Sequence, residues 1–185
     1  MKKAVPWIVL VLAGLWVLSG LRKPSTNSAF DLTGFGRLPA VVNGRLQPLD
    51  SAARNSLLVL RSKQSALGDP RRRVPATEWL MEVTMRPETA DGLRAFRIDH
   101  PELRALVQVP ADGPMDVSFR DIAGGLDALA READRARKTD AKTRSSFDRA
   151  VLRLQSALML YDRLKHSLRP EGSTNLTAEV RSYEQ

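Results

Sequence analysis

From Ala4 to Leu21 the chain reads AVPWIVLVLAGLWVLSGL and carries no charged residue. At 1.5 Å of rise per residue that run predicts a helix of roughly 27 Å, about the thickness of a thin hydrocarbon core. Trp7 and Trp16 supply amphipathic rings of the kind found at membrane interfaces, and Lys2 and Lys3 precede the run while Arg22 and Lys23 follow it. Residues 1–23 are therefore expected to be an N-terminal membrane anchor or uncleaved signal. A cleavable signal peptide ending at Val17-Leu18-Ser19 is the alternative. Either reading places the bulk of the chain on the periplasmic or extracytoplasmic side. The anchor reading makes it a single-pass protein of the inner (cytoplasmic) membrane.

The pattern changes after the linker at residues 24–34. Leu38–Val42 and Arg45–Pro48 are short apolar runs on either side of Asn43-Gly44, the dipeptide that best tolerates a type I′ turn, so a small β-hairpin is expected. Pro39 and Pro48 confine it to strand ends or edges. Asp50 or Ser51 is then placed to cap a helix from about Ser51 to about Ser65, with Ala53, Leu57 and Leu60, joined by Leu58, as its apolar stripe. Arg71–Arg73 follow a Gly-Asp-Pro turn and read as a solvated loop. A helix begins near Pro75 and buries Trp79, Leu80 and Val83, and Pro87 ends it. Ala95–Asp99 alternates as a short strand, and His100-Pro101 opens another helical turn.

Beyond the Pro/Gly break at Val109–Gly113, apolar residues recur at three- and four-residue steps. Phe119 to about Lys138 carries Ile122, Leu126, Leu129, Ala133 and Ala136. Ser146 to Leu168 carries Phe147, Val151, Leu154, Leu158 and Tyr161, with Lys165 interrupting the stripe. The short polar connection predicts an antiparallel αα-hairpin. The expected fold is mainly α with a small β-hairpin. It comprises a single N-terminal transmembrane helix, a small α+β domain at residues 35–110, the αα-hairpin at 111–169 and a loose tail at 170–185.

Composition narrows the chemistry. The 185 residues hold no cysteine, which excludes disulfides, thiolate metal sites and a C-x-x-C-H haem attachment site. A net charge of +8 admits anionic partners, but aromatic residues are only 5%, too few for a base-stacking platform, so no nucleic-acid partner is expected. No nucleophile–base pair, metal cluster or phosphate loop stands out. Gly124-Gly125 lacks the surrounding P-loop pattern, and no enzymatic activity is expected. Arg45, Arg54 and Asn55 are the candidate partner-facing residues, and anchoring the hairpin by hydrogen bonds is their structural alternative. His100 is the only candidate haem ligand, against a packing or capping role at its helix entrance. His166 lies on a polar helix side.

Two ordered blocks carry a resemblance. The first runs Leu-Pro, Asn-Gly-Arg, Gln-Pro-Leu-Asp-Ser and Ala-Arg-Asn-Ser-Leu-Leu between Phe35 and Gln64. The second runs Glu78-Trp79-Leu80, Pro87-Glu88 and Phe96-Arg97-Ile98-Asp99-His100-Pro101. Together they resemble the extracytoplasmic, ResB-like part of System II cytochrome c biogenesis proteins, over roughly residues 35–107. The resemblance implies an accessory or scaffold role in attaching haem to apocytochrome c, beside a CcsA-like polytopic membrane protein. Haem would be handled by that partner, with no cofactor held by this chain. It also implies that larger relatives continue past the tail. A general envelope adaptor that binds another protein through its helical hairpin is the alternative.

Overall fold

Gly44 has a φ of +74°, the left-handed backbone that a two-residue hairpin loop needs. Around it β1 (Pro39–Val42) and β2 (Arg45–Pro48) pair antiparallel, with Val42 opposite Arg45 and Val41 opposite Leu46. The computed structural model describes residues 5–20, 30–42, 44–70 and 72–167. Asn43, Arg71, the linker residues 24–29 and the tail at 170–185 lie outside the described residues, as do Lys2, Lys3, Arg22 and Lys23. The chain divides into two units, Met1–Leu32 and Thr33–Gln185.

The first unit corrects the membrane expectation. Its helix α1 (Val5–Gly20) has 16 residues. That is roughly 24 Å of rise, short of the approximately 30 Å of a typical hydrocarbon core. Among the described residues, no helix is long and apolar enough to cross a membrane. The transmembrane helix and signal anchor over residues 4–21 are therefore withdrawn. The single-pass inner-membrane placement and the extracytoplasmic side assigned to the bulk of the chain rested on that helix and go with it.

The fold class is corrected in the second unit too. Beyond α2 (Leu32–Arg37) and the β1–β2 pair, a second sheet of four antiparallel strands appears, in the order β4 (Arg73–Pro75), β3 (Ser65–Leu67), β5 (Arg94–Arg97), β6 (Asp116–Ser118). Three of these strands have three residues each, too few to show a period of two. Helix α3 (Leu49–Arg61) starts two residues earlier than its periodicity suggests and stops at Ser62, whose φ of 60° turns the backbone left-handed while its N–H donates to the Leu58 carbonyl. The following residues then enter β3 rather than extend the helix to Ser65.

Helices α4 (Ala76–Met85), α5 (Pro87–Ala90), α6 (Pro101–Leu106) and α7 (Phe119–Ile122) surround the sheet. A 3₁₀ turn at Ala123–Gly125 leads into α8 (Leu126–Lys138), which returns as α9 (Ser146–Lys165). A Cβ on Gly125 would sit 2.4 Å from the Val107 Cα, so only glycine permits this approach. Arg144 donates to the Ala136 and Thr139 carbonyls and closes the C-terminal end of α8. Ser145 and Asp148 form a capping box at the start of α9.

One core joins these elements. Trp79, Phe96 and Tyr161 are fully enclosed, and Leu57, Val83, Ile98, Ile122, Leu129 and Val151 pack with them. The Tyr161 ring meets Phe96 edge-on at 5.3 Å and lies 6.4 Å from Trp79. The inner face of α9 thus closes the core built by α3, α4 and β5. Lys165, the charge that breaks its stripe, reaches both oxygens of Asp91 at 3.0 Å, and the Tyr161 hydroxyl donates to the same carboxylate at 3.0 Å. Burial, and then the Asp91 charge, push the Tyr161 phenol far above its ordinary pKa.

Candidate functional site

Paired residues of an antiparallel ladder share a face, so the register of β1 and β2 sorts their side chains. Val41 and Leu46 point away from α3 and are 72% and 74% exposed. Val42, Arg45 and Gln47 occupy the other face and form one wall of an open cleft of about 440 Å³. Ala52, Asn55, Ser56 and Val59 of α3 form its floor, and Leu160 of α9 closes it. The cleft exists because α3 leaves the hairpin immediately after Pro48. Its Ala53, Leu57 and Leu60 turn to the core while Asn55 and Val59 remain outside.

This cleft brings together two of the three residues singled out in the sequence. Arg45 and Asn55 both line it, and neither side chain hydrogen-bonds another described residue. Arg54 behaves differently: its Nε donates to Asp50 Oδ2 at 2.8 Å, one turn earlier on α3. Asp50 in turn accepts from the Thr77 hydroxyl on α4 at 2.6 Å. Asp50 is therefore a first-turn residue that ties α3 to α4, and the expected cap is absent: Pro48 holds the N-cap position and no side chain caps it. Bonding to the Arg54 guanidinium holds the Asp50 carboxyl below the usual carboxylate range, against partial burial, and Thr77 adds to it.

His100 is half-buried at the entrance to α6. Its Nε2 lies 3.4 Å from Ser146 Oγ, its ring is 5.7 Å from Phe147, and its Nδ1 is buried with no partner among the described residues. It stands apart from the cleft that holds Arg45 and Asn55. Among the described residues no group of three or more His, Cys, Asp or Glu side chains gathers as a metal centre. His166 is exposed, with Nδ1 2.9 Å from the Asp162 carbonyl.

Gln47, Val59 and Leu160 belong to the site but not to the sequence reading. The strand period places Gln47 beside Arg45 once the register is known. Nothing in linear spacing links either of them to Leu160, some hundred positions on. The buried arginines are structural. Arg61, 2% exposed, holds Asp116 through two nitrogens at 3.1 and 3.0 Å and donates to the Ser65 carbonyl. Arg104 donates to the carbonyls of Ile98, Pro110 and Pro114.

The two blocks that carry the cytochrome-assembly resemblance are adjacent in space, because α3 packs on α4 and β5. Much of the second block is core: Trp79, Leu80, Phe96 and Ile98 are all buried. No protein-family model matches the chain, and no curated protein matches it.

Proposed function

We propose that the chain is a non-catalytic accessory or scaffold component of cytochrome c assembly, working with a CcsA-like polytopic membrane protein and with apocytochrome c. The reading takes its process from the resemblance over residues 35–107. The observation that carries its mechanism is the cleft that Arg45 and Asn55 line together, neither side chain hydrogen-bonded to another described residue. An open recess with a guanidinium, an amide and the aliphatic Val42 and Val59 suits a protein surface: the apolar groups supply buried area and the polar pair supplies register. Haem remains with the partner in this account, and the chain positions proteins rather than transforming a substrate.

The αα-hairpin is the weaker docking surface. Leu129, Ala133 and Ala136 of α8 and Val151, Leu154 and Ala157 of α9 are buried, so its apolar faces are already covered. Affinity isolation of the tagged full chain from its own host in mild detergent tests the proposal. A CcsA-type protein is expected to co-isolate, and Arg45→Glu with Asn55→Ala is expected to remove it. Repeated isolation without such a protein contradicts the reading.

A further inference from the structure

A second groove runs along α9 where it faces the end of β5 and the start of α6. One part, about 500 Å³, is lined by Asp99, His100, Ser146, Arg149 and Arg153 among others. A smaller recess of about 60 Å³ continues from it, shares Asp99, Ala150 and Arg153, and adds Arg97. The lining therefore holds three arginines against one carboxylate, Asp99, with His100 at one end.

The arginines are poorly compensated by the chain itself. Arg149 and Arg153 are four residues apart on α9, where like charges face each other and destabilise a helix. Both are exposed, and neither side chain makes a hydrogen bond or ion pair with a described residue. Arg97 reaches Met115 Sδ at 3.2 Å. Its nearest carboxylate, Asp116, is 4.0 Å away and already held by Arg61. Asp148, the acidic residue closest in sequence to Arg149, is taken by Ser145 and Arg135. Three guanidinium groups thus line one groove in which Asp99 is the single carboxylate, while Asp116 and Asp148 are engaged by other groups.

We infer that this groove binds an extended acidic peptide segment of another protein. Guanidinium groups match carboxylates in planar, two-bond pairs, and partial enclosure strengthens them over fully exposed ones. From Ser146 to Ala157 the wall of α9 is roughly 16 Å long, the length of about five extended residues. At its far end the groove reaches Val59, Leu154 and Ala157, so an apolar residue following the acidic ones is accommodated there. Val59 also lines the Arg45–Asn55 cleft, which makes the two recesses neighbours. No Phe, Tyr or Trp ring lines the groove, and the His100 imidazole stands alone at one end, which disfavours a single-stranded nucleic acid as occupant. The inference stands on this surface alone and does not depend on the process in which the chain works.

The test is fluorescence anisotropy with a fluorescein-labelled Asp-Glu-Glu-Asp-Leu peptide and the full chain. Saturable binding that weakens with added salt is expected. Arg149→Gln with Arg153→Gln is expected to reduce affinity about tenfold or more, while Arg163→Gln, another exposed arginine of α9 outside the groove, changes it less than about twofold. The double variant removes a like-charge pair, so its thermal unfolding is expected at or above that of the parent chain. In the parent chain, peptide addition is expected to shift amide resonances of residues 97–101 and 146–157 first. No saturable binding, an equal loss in Arg163→Gln, or shifts confined to other segments overturns the inference. So does a single-stranded oligothymidylate that binds more tightly than the peptide and is released by the same double substitution.

Discussion

Asp50 stands one residue into α3 and receives bonds from Arg54 on its own helix and from Thr77 on α4. The Arg54 pair is exposed and contributes a few tenths of a kcal/mol, as such helical pairs do. The Thr77 bond crosses between helices and contributes about 1 kcal/mol. Asp50→Ala and Thr77→Val are therefore each expected to lower stability by about 1 kcal/mol, and the double variant by little more than either alone. Chemical denaturation of the four proteins measures this, and fully additive losses contradict the shared bond. Gly125 has a different role at the same scale. With Val107 Cα only 2.4 Å from a substituent on Gly125, Gly125→Ala must displace backbone, at an expected cost of about 1–3 kcal/mol in the same measurement. In the sequence that glycine was recognisable only as failing to be a phosphate loop. Its reason, a close approach by a segment eighteen positions away, exists only in three dimensions.

Elements whose sequence carried a strong local signal were legible. Asn43-Gly44 announced a two-residue loop, and the three- and four-residue spacing of α8 and α9 announced two facing helices. Trp79, Leu80 and Val83 pointed to the buried side of α4. Of the four-stranded sheet only β5 was legible, through the alternation at Ala95–Asp99; β3, β4 and β6 have three residues each, too few to show a period, and Ser65 was absorbed into a helix that Ser62 ends. Leu58, counted with the α3 stripe, is 41% exposed, since it lies off the face set by Ala53, Leu57 and Leu60. The cap expected from Asp50 or Ser51 does not form: Asp50 accepts the Thr77 hydroxyl of α4 instead, and the capping box of Ser145 and Asp148 at the start of α9 had no counterpart in the sequence reading. The Ser145 N–H and hydroxyl, and then Arg135, hold the Asp148 carboxyl below the usual carboxylate range. A lowered folded-state pKa favours the folded state above the ordinary value of about 3.9, and the contribution fades as pH falls through the folded value. Asp148→Asn is accordingly expected to unfold at lower temperature than the parent at pH 7, with the difference narrowing toward pH 2. A difference independent of pH contradicts this assignment.

At the scale of the molecule, α1 and the Thr33–Gln185 unit are separate bodies, and the second has a single core to which α9 contributes Tyr161, Leu154 and Val151. The αα-hairpin is half embedded in that core. What it leaves outside is the arginine face of α9 rather than an apolar one. The uncharged run at residues 4–21 suggested a membrane span by composition, but among the described residues no helix is long and apolar enough to be one. The candidate site was half legible: Arg45 and Asn55 were named from the sequence, whereas their meeting with Val59 and Leu160 depends on how the hairpin and α9 flank α3. That meeting supports the proposal that the chain brings other proteins together, while the proposed process, cytochrome c assembly, comes from the resemblance over residues 35–107. The most direct test is c-type haem staining in the host lacking the chain, complemented with either the parent sequence or the Arg45→Glu, Asn55→Ala variant at equal protein level. The account predicts that staining falls on deletion, returns with the parent and stays low with the variant. Unchanged staining after deletion, or full restoration by the variant, would contradict it.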